Sequence, residues 1–190
     1  MGVSTRVVLY APSDSAAQRA ARAAFARIAA LEQVLSDYQP DSEVRRLCAR
    51  AGGPAVAVSG DLAFALRRAL GLARETDGAF DVTVQPVAAL WRTARRTGRL
   101  PEAAALRSAL QRVGRQDVQL DPRARSVRLA RPGMCLDFGG IGKGYALDEA
   151  LRALRARQVD RALLVMGGET LAGRAPPGRR GWRVEVEQAD

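Results

Sequence analysis

A chain of 190 residues can bury a sizeable core, and its 47% hydrophobic and 26% charged residues are those of an ordinary globular protein. It carries thirty Lys and Arg against twenty Asp and Glu, a formal charge of +10, and no histidine. Ser-His-Asp and Cys-His catalysis are therefore excluded within this chain, and two cysteines without histidine cannot complete a zinc site.

Val3–Ala11 is β-branched and alternating, which predicts a strand. Ser13 or Asp14 can cap a long helix to about Leu35, with Ala24, Phe25, Ile28, Leu31 and Leu35 on one apolar stripe. Ser36–Pro40 reads as extended. A helix capped by Asp41 or Ser42 runs to about Ala51, where Gly52-Gly53-Pro54 stops it. Ala55–Val58 is short and extended, and Ser59 caps a helix over Asp61–Glu75. Ala79–Trp91, with Pro86 inside it, reads as a packed loop entering a short helix, and Arg92–Leu100 as a surface excursion. Pro101 opens a helix reaching Val113.

The hydrophobic period then changes. Val118–Leu120, Ser126–Ala130 and Met134–Phe138 read as strands, Gly142–Gln158 as a helix, Arg161–Met166 as a strand and Trp182–Glu187 as a last strand. Gly167–Gly181 is a Gly/Pro-rich connection. A helix-rich part (1–115) followed by a strand-rich part (116–190) predicts an α+β fold, with helices packed on a largely antiparallel sheet.

The positive charge favours an anionic ligand. The arginines come as singles and doublets, such as Arg67-Arg68 and Arg95-Arg96, which reads as solvated helix faces and not as a nucleic-acid surface. Cys48 and Cys135 sit among apolar neighbours and read as buried free thiols, leaving the redox compartment undecided. The sequence shows neither a signal-peptide pattern nor an apolar run of membrane-spanning length.

Residues 136–148 hold the only lysine of the chain, Lys143, among four glycines and two aspartates. Where arginine serves almost everywhere else, a lone lysine marks a place for a compact ammonium on a flexible stem. A strand running through Gly139-Gly140-Ile141-Gly142 into a helix lets the backbone approach a phosphate at the helix N-terminus. Asp137 at the strand end can accept from a ligand hydroxyl or ring N–H. The spacing is neither a Walker A loop nor a Rossmann fingerprint, because Gly144 follows the lysine and the glycines fall one residue short. Three further segments carry candidate groups: Tyr38 within Ser36–Glu43, Phe80 and Asp81 within Thr76–Val84, and Glu169 after Met166-Gly167-Gly168.

In order and spacing these motifs resemble the FAD:protein FMN transferases, the ApbE family. The resemblance rests on Ser36–Glu43, Ala79-Phe80-Asp81 leading to Trp91, the Leu136–Asp148 segment, Gly167-Gly168-Glu169 and Gly181-Trp182, and it spans essentially the whole chain. It implies transfer of the FMN half of FAD to a threonine or serine hydroxyl of an acceptor protein, with AMP leaving and magnesium required. Met1, Tyr38, Ala79, Phe80, Asp81, Asp137 and Lys143 match FAD-contacting positions, and the carbonyl of Gly140 matches a magnesium ligand. The implied partner is a flavoprotein subunit, with no nucleic acid. Val3 stands where the family tends to have Thr. The family continues into a part with an Asp/Thr metal pair and a histidine-bearing segment. The catalytic residues are expected there, and this chain reads as the front portion of such an enzyme. Family members are often found on the periplasmic face of the inner membrane, but no compartment is assigned here. A flavin- or nucleotide-binding module without catalysis, and a basic nucleic-acid-binding protein, are the alternatives.

Overall fold

The computed structural model describes residues 3–185. The chain divides into two compact units, one formed by residues up to Ala30 together with those from Lys143 onward, the other by Leu31–Gly142. Each contains a three-stranded antiparallel sheet, so the predicted α+β class holds, with its antiparallel pairing shared between two sheets.

In the first unit β1 (Thr5–Leu9) pairs with β5 (Ala162–Met166), which pairs with β6 (Glu169–Ala172). The β5–β6 connection is a two-residue hairpin, with Met166 opposite Glu169. Gly167 takes φ +53° there, as such turns require. The sequence reading placed only a connection in this stretch, because Glu169–Ala172 is too short and polar to announce a strand. At the other end, Trp182–Glu185 is irregular backbone where the sequence predicts a strand over Trp182–Glu187, and Val186 and Glu187 lie outside the described residues. Trp182 is tied down by side-chain bonding: its indole N–H donates to the Arg174 carbonyl at 2.9 Å, and its ring lies 6.0 Å from that of Tyr10.

Helix α1 (Asp14–Leu35) starts as its sequence predicts, with Ser13 Oγ accepting from Ala16 N. Ala24, Ile28, Leu31 and Leu35 are buried, but Phe25 is 43% exposed. Its position is one helical step, about 100°, round from that stripe.

The second unit holds α2 (Glu43–Cys48), β2 (Val56–Ala57), α3 (Gly60–Glu75), α4 (Gln85–Thr97), α5 (Ala103–Leu110), β3 (Val118–Asp121) and β4 (Ser126–Leu129), with sheet order β2-β4-β3. Ser42 and Ser59 cap α2 and α3 by accepting from Arg45 N and Leu62 N. Pro86 does not interrupt the chain: it lies in the first turn of α4, where a missing N–H costs nothing. The helix therefore runs through the predicted surface excursion to Thr97, and Gly98 closes it at φ +68°.

Two further expectations do not hold. Met134–Phe138 is irregular backbone, largely buried, and joins no ladder. Its N–H groups go to single partners, Leu136 N to Cys48 Sγ and Asp137 N to the Val82 carbonyl at 2.7 Å. The cysteines are not free thiols: Cys48 at the end of α2 and Cys135 in this segment form a disulfide, their Cα atoms 4.7 Å apart. A separation of 87 residues hid that pairing from local inspection. Helix α6 (Gly142–Arg155) follows, and no helix among the described residues is long and apolar enough to cross a membrane.

Candidate functional site

The Thr76–Val84 segment is built by its own side chains. Thr76 Oγ1 donates to the Leu72 carbonyl and accepts from Phe80 N at 3.1 Å, which turns the chain out of α3. Asp81 caps the single 3-10 turn Val82–Val84: its Oδ1 accepts from Thr83 N at 2.8 Å and from Thr83 Oγ1 at 2.7 Å. Thr83 is fully buried, and its hydroxyl also accepts from Gly114 N at 2.8 Å. Ala79, by contrast, is exposed and engages through its backbone N–H to the Thr76 carbonyl.

The backbone bond from Asp137 to Val82 joins this turn to the glycine loop. Asp137 Oδ1 then accepts from Gly139 N at 2.7 Å. The Phe138 carbonyl accepts from Ile141 N and Gly142 N, closing a tight turn that delivers the chain into α6. Gly140 faces Phe80 so closely that a Cβ there would lie 3.0 Å from Phe80 Cε2. Phe80 and Gly140, sixty positions apart in chain order, are thus adjacent.

Arg92 of α4 completes the arrangement. Its Nη1 donates to Asp37 Oδ2, its Nη2 to Asp137 Oδ2 at 2.5 Å, and its guanidinium carbon lies 4.7 Å from the centre of the Tyr38 ring. Burial pulls the Arg92 pKa down, but the hydrogen bond and charge of Asp37, then the charge of Asp137, raise it above its ordinary value. The clamp's contribution through this cation is present below the ordinary guanidinium pKa and is lost only as pH rises through the raised one, deep in alkali. Beside it, Ser36 is buried with its hydroxyl unpartnered among the described residues, leaving an unused hydrogen-bonding group next to Asp37.

In the first unit Lys143, in the first turn of α6, pairs with Glu169 at 2.9 Å. Glu169 is the first residue of β6, so the hairpin Gly167-Gly168 sets a carboxylate against the lone lysine. A Cβ at Gly144 would stand 3.6 Å from Glu169 Oε2, an ordinary contact.

Of the predicted site residues, Tyr38, Phe80, Asp81, Asp137 and Gly140 are linked within the second unit, Lys143 lies in the first, and Met1 lies outside the described residues. Sequence reading missed Arg92, Asp37 and Thr83. Arg92 was one arginine among many, and only its position on a continuous α4 puts it between two aspartates. Among the described residues no three His, Cys, Asp or Glu side chains are placed to hold a metal ion, and the carboxylates of Asp37 and Asp137 are bound to Arg92.

The family model described as "ApbE family" matches residues 1–190. The chain belongs to the ApbE family. Among ApbE-like proteins with curated names, it is 33% identical over 168 residues to a FAD:protein FMN transferase of Klebsiella pneumoniae, covering 88% of this chain and 52% of that protein. It is also 33% identical over 178 residues to one from Treponema pallidum, covering 90% and 49%. The chain thus spans about half the length of these relatives. The solved ApbE protein of Thermotoga maritima superposes with a TM-score of 0.87 at 26% identity, covering 98% of this chain and 60% of that one. The flavin transferase ApbE of Vibrio cholerae shares the fold at a TM-score of 0.90 and 22% identity, covering 99% and 61%.

Proposed function

We propose that this ApbE chain belongs to an enzyme that moves the FMN moiety of FAD onto a threonine or serine hydroxyl of an acceptor flavoprotein subunit. The observation that carries the reading is the meeting of three segments far apart in sequence: Tyr38 reaches Asp137 through Arg92, and Phe80 lies against Gly140. The names of the relatives support FAD as the flavin donor.

In the proposed reaction the acceptor oxygen forms a bond to the phosphorus on the FMN side of the pyrophosphate. The bond from that phosphorus to the bridging oxygen breaks, AMP leaves with the electron pair, and the hydroxyl proton passes to solvent. Such transfers depend on positioning and on neutralising phosphate charge. Tyr38, Ala79, Phe80, Asp81 and Asp137 would hold the flavin nucleotide, with Met1 as a further contact, and Lys143 would face the phosphates as a mobile cation. Tyr38 and Phe80 offer ring faces to a flat ligand, and Asp81 and Asp137 offer acceptors to its N–H and O–H groups. Magnesium, which the resemblance implies, would neutralise pyrophosphate charge, with the Gly140 carbonyl as one ligand. The described residues do not by themselves form a cage for it, so no step is routed through the ion.

The test is titration of FAD with this chain, with and without magnesium, followed by incubation with a threonine-bearing acceptor. Flavin fluorescence should change on binding, and labelled acceptor and AMP should appear together when the full activity is present. Flavin fluorescence unaltered at high micromolar protein would sink the reading.

A further inference from the structure

We infer that Arg92 is the positioning residue of the flavin site, acting through Asp37, Tyr38 and Asp137. The inference rests on the proposed FAD reading and adds to it a residue that the sequence motifs did not contain.

Tyr38 is 70% exposed, so packing does little to fix its ring. What the structure gives it is the Arg92 guanidinium against its face, a contact in which the ring quadrupole attracts the cation. The residue before it, Asp37, has a nearly buried carboxylate bound to the same guanidinium. One planar group therefore holds the backbone on which Tyr38 sits and the ring that Tyr38 carries. Its other arm takes Oδ2 of Asp137, while Gly139 N takes Oδ1. Asp137 is thus held at both oxygens, and each still has a lone pair to offer a ligand.

The fork geometry matters as much as the charge. Two carboxylates, on segments 100 residues apart in number, need two donors at fixed separation, which guanidinium has and ammonium lacks. Removal of the cation would leave Asp37 and Asp137 facing each other uncompensated, in the region where an anionic ligand is to bind. Each terminal nitrogen of Arg92 donates to an aspartate, which commits two of its five N–H donors to holding neighbouring residues. Its role is to hold other residues in place.

The experiment compares wild-type chain with Arg92→Lys, Arg92→Met, Tyr38→Leu and the double variant Arg92→Lys/Tyr38→Leu. FAD dissociation constants are read by flavin fluorescence and urea midpoints are recorded in parallel. In the absence of flavin, the ring 13C–1H signals of the chain's tyrosines are followed by NMR. Arg92→Lys should weaken FAD binding about tenfold while retaining the charge, and Arg92→Met should weaken it further. The Tyr38 ring signals should move in both single Arg92 variants. In the double variant the two losses should fail to add, because Arg92 acts partly through Tyr38. A purely structural Arg92 would shift the urea midpoint and leave the FAD constant of the folded variants unchanged, which would overturn the inference. So would Tyr38 signals unmoved in Arg92→Lys, or fully additive losses. Wild-type chain that does not bind FAD would overturn the flavin reading together with this inference, whereas tight FAD binding unaffected by Arg92→Lys would overturn this inference alone.

Discussion

Phe80 and Gly140 lie so close that a Cβ at Gly140 would meet Phe80 Cε2 at 3.0 Å, and the ring would have to give way by a few tenths of an ångström. Gly140 does not have a positive φ, so its requirement is steric, not conformational. Gly140→Ala should therefore displace the Phe80 ring, with a stability loss of about 1–2 kcal/mol from overpacking. FAD binding should weaken several-fold in the same variant. Shortening the partner, in Gly140→Ala/Phe80→Leu, should restore most of the stability but not the affinity. Urea denaturation and FAD titration of the three proteins check this, and a Gly140→Ala protein as stable as wild type would show that the contact is loose.

The disulfide between Cys48 and Cys135 closes a long loop over a separation of 87 residues, and it anchors the segment that leads into Asp137. In the chain-entropy account a loop of that length stabilises by about 4.6 kcal/mol, by restricting the unfolded chain. Reductant should lower the urea midpoint of the wild-type chain, and Cys48→Ala/Cys135→Ala should start low and be indifferent to reductant. Maleimide labelling of the native, unreduced protein should find no free thiol. Two reactive thiols per chain would contradict the pairing.

Lys143 shares its charge with Glu169, its ion-pair partner at 2.9 Å. The two side chains are 29% and 39% exposed, so the pair contributes at most about 1 kcal/mol to stability. Its removal should be felt in ligand binding and hardly in folding. Lys143→Ala should weaken FAD binding by about tenfold with an unchanged urea midpoint. Glu169→Gln should tighten it, because the ammonium no longer has a competing carboxylate. An affinity indifferent to both substitutions would remove Lys143 from the flavin site.

The helices that ordinary capping and periodicity define, α1 and α3 above all, lie within a residue or two of where the sequence places them. Local signals failed where the deciding partner is distant. Met134–Phe138 has the apolar character of a strand, yet its backbone partners are a sulfur from α2 and a carbonyl from the 82–84 turn. Pro86 reads as a breaker unless the helix is known to start beside it. In the site, the residues with a chemical signature of their own (the lone lysine, the glycines, Phe80 beside Asp81) could be picked out in advance. Arg92 and Thr83 could not, because an arginine in an arginine-rich chain and a threonine in an apolar run acquire meaning only from what they touch.

Thr83 offers the last and most local test. Its buried hydroxyl donates to Asp81 Oδ1 and accepts from Gly114 N, so it couples the Asp81 cap to the turn that precedes β3. Thr83→Val keeps the shape but removes both bonds, and it leaves the buried Gly114 N–H without its acceptor. The cost should be about 1–3 kcal/mol, larger than the mean worth of a hydrogen bond because a donor is orphaned. Thr83→Ser, which keeps the hydroxyl, should lose only the methyl packing. Asp81 retains the bond from Thr83 N in both variants, so its carboxylate should stay near its place. FAD affinity should consequently fall less than stability does. Urea denaturation of both variants measures the first effect and fluorescence titration the second. If Thr83→Val were as stable as Thr83→Ser, the hydroxyl would not hold Gly114.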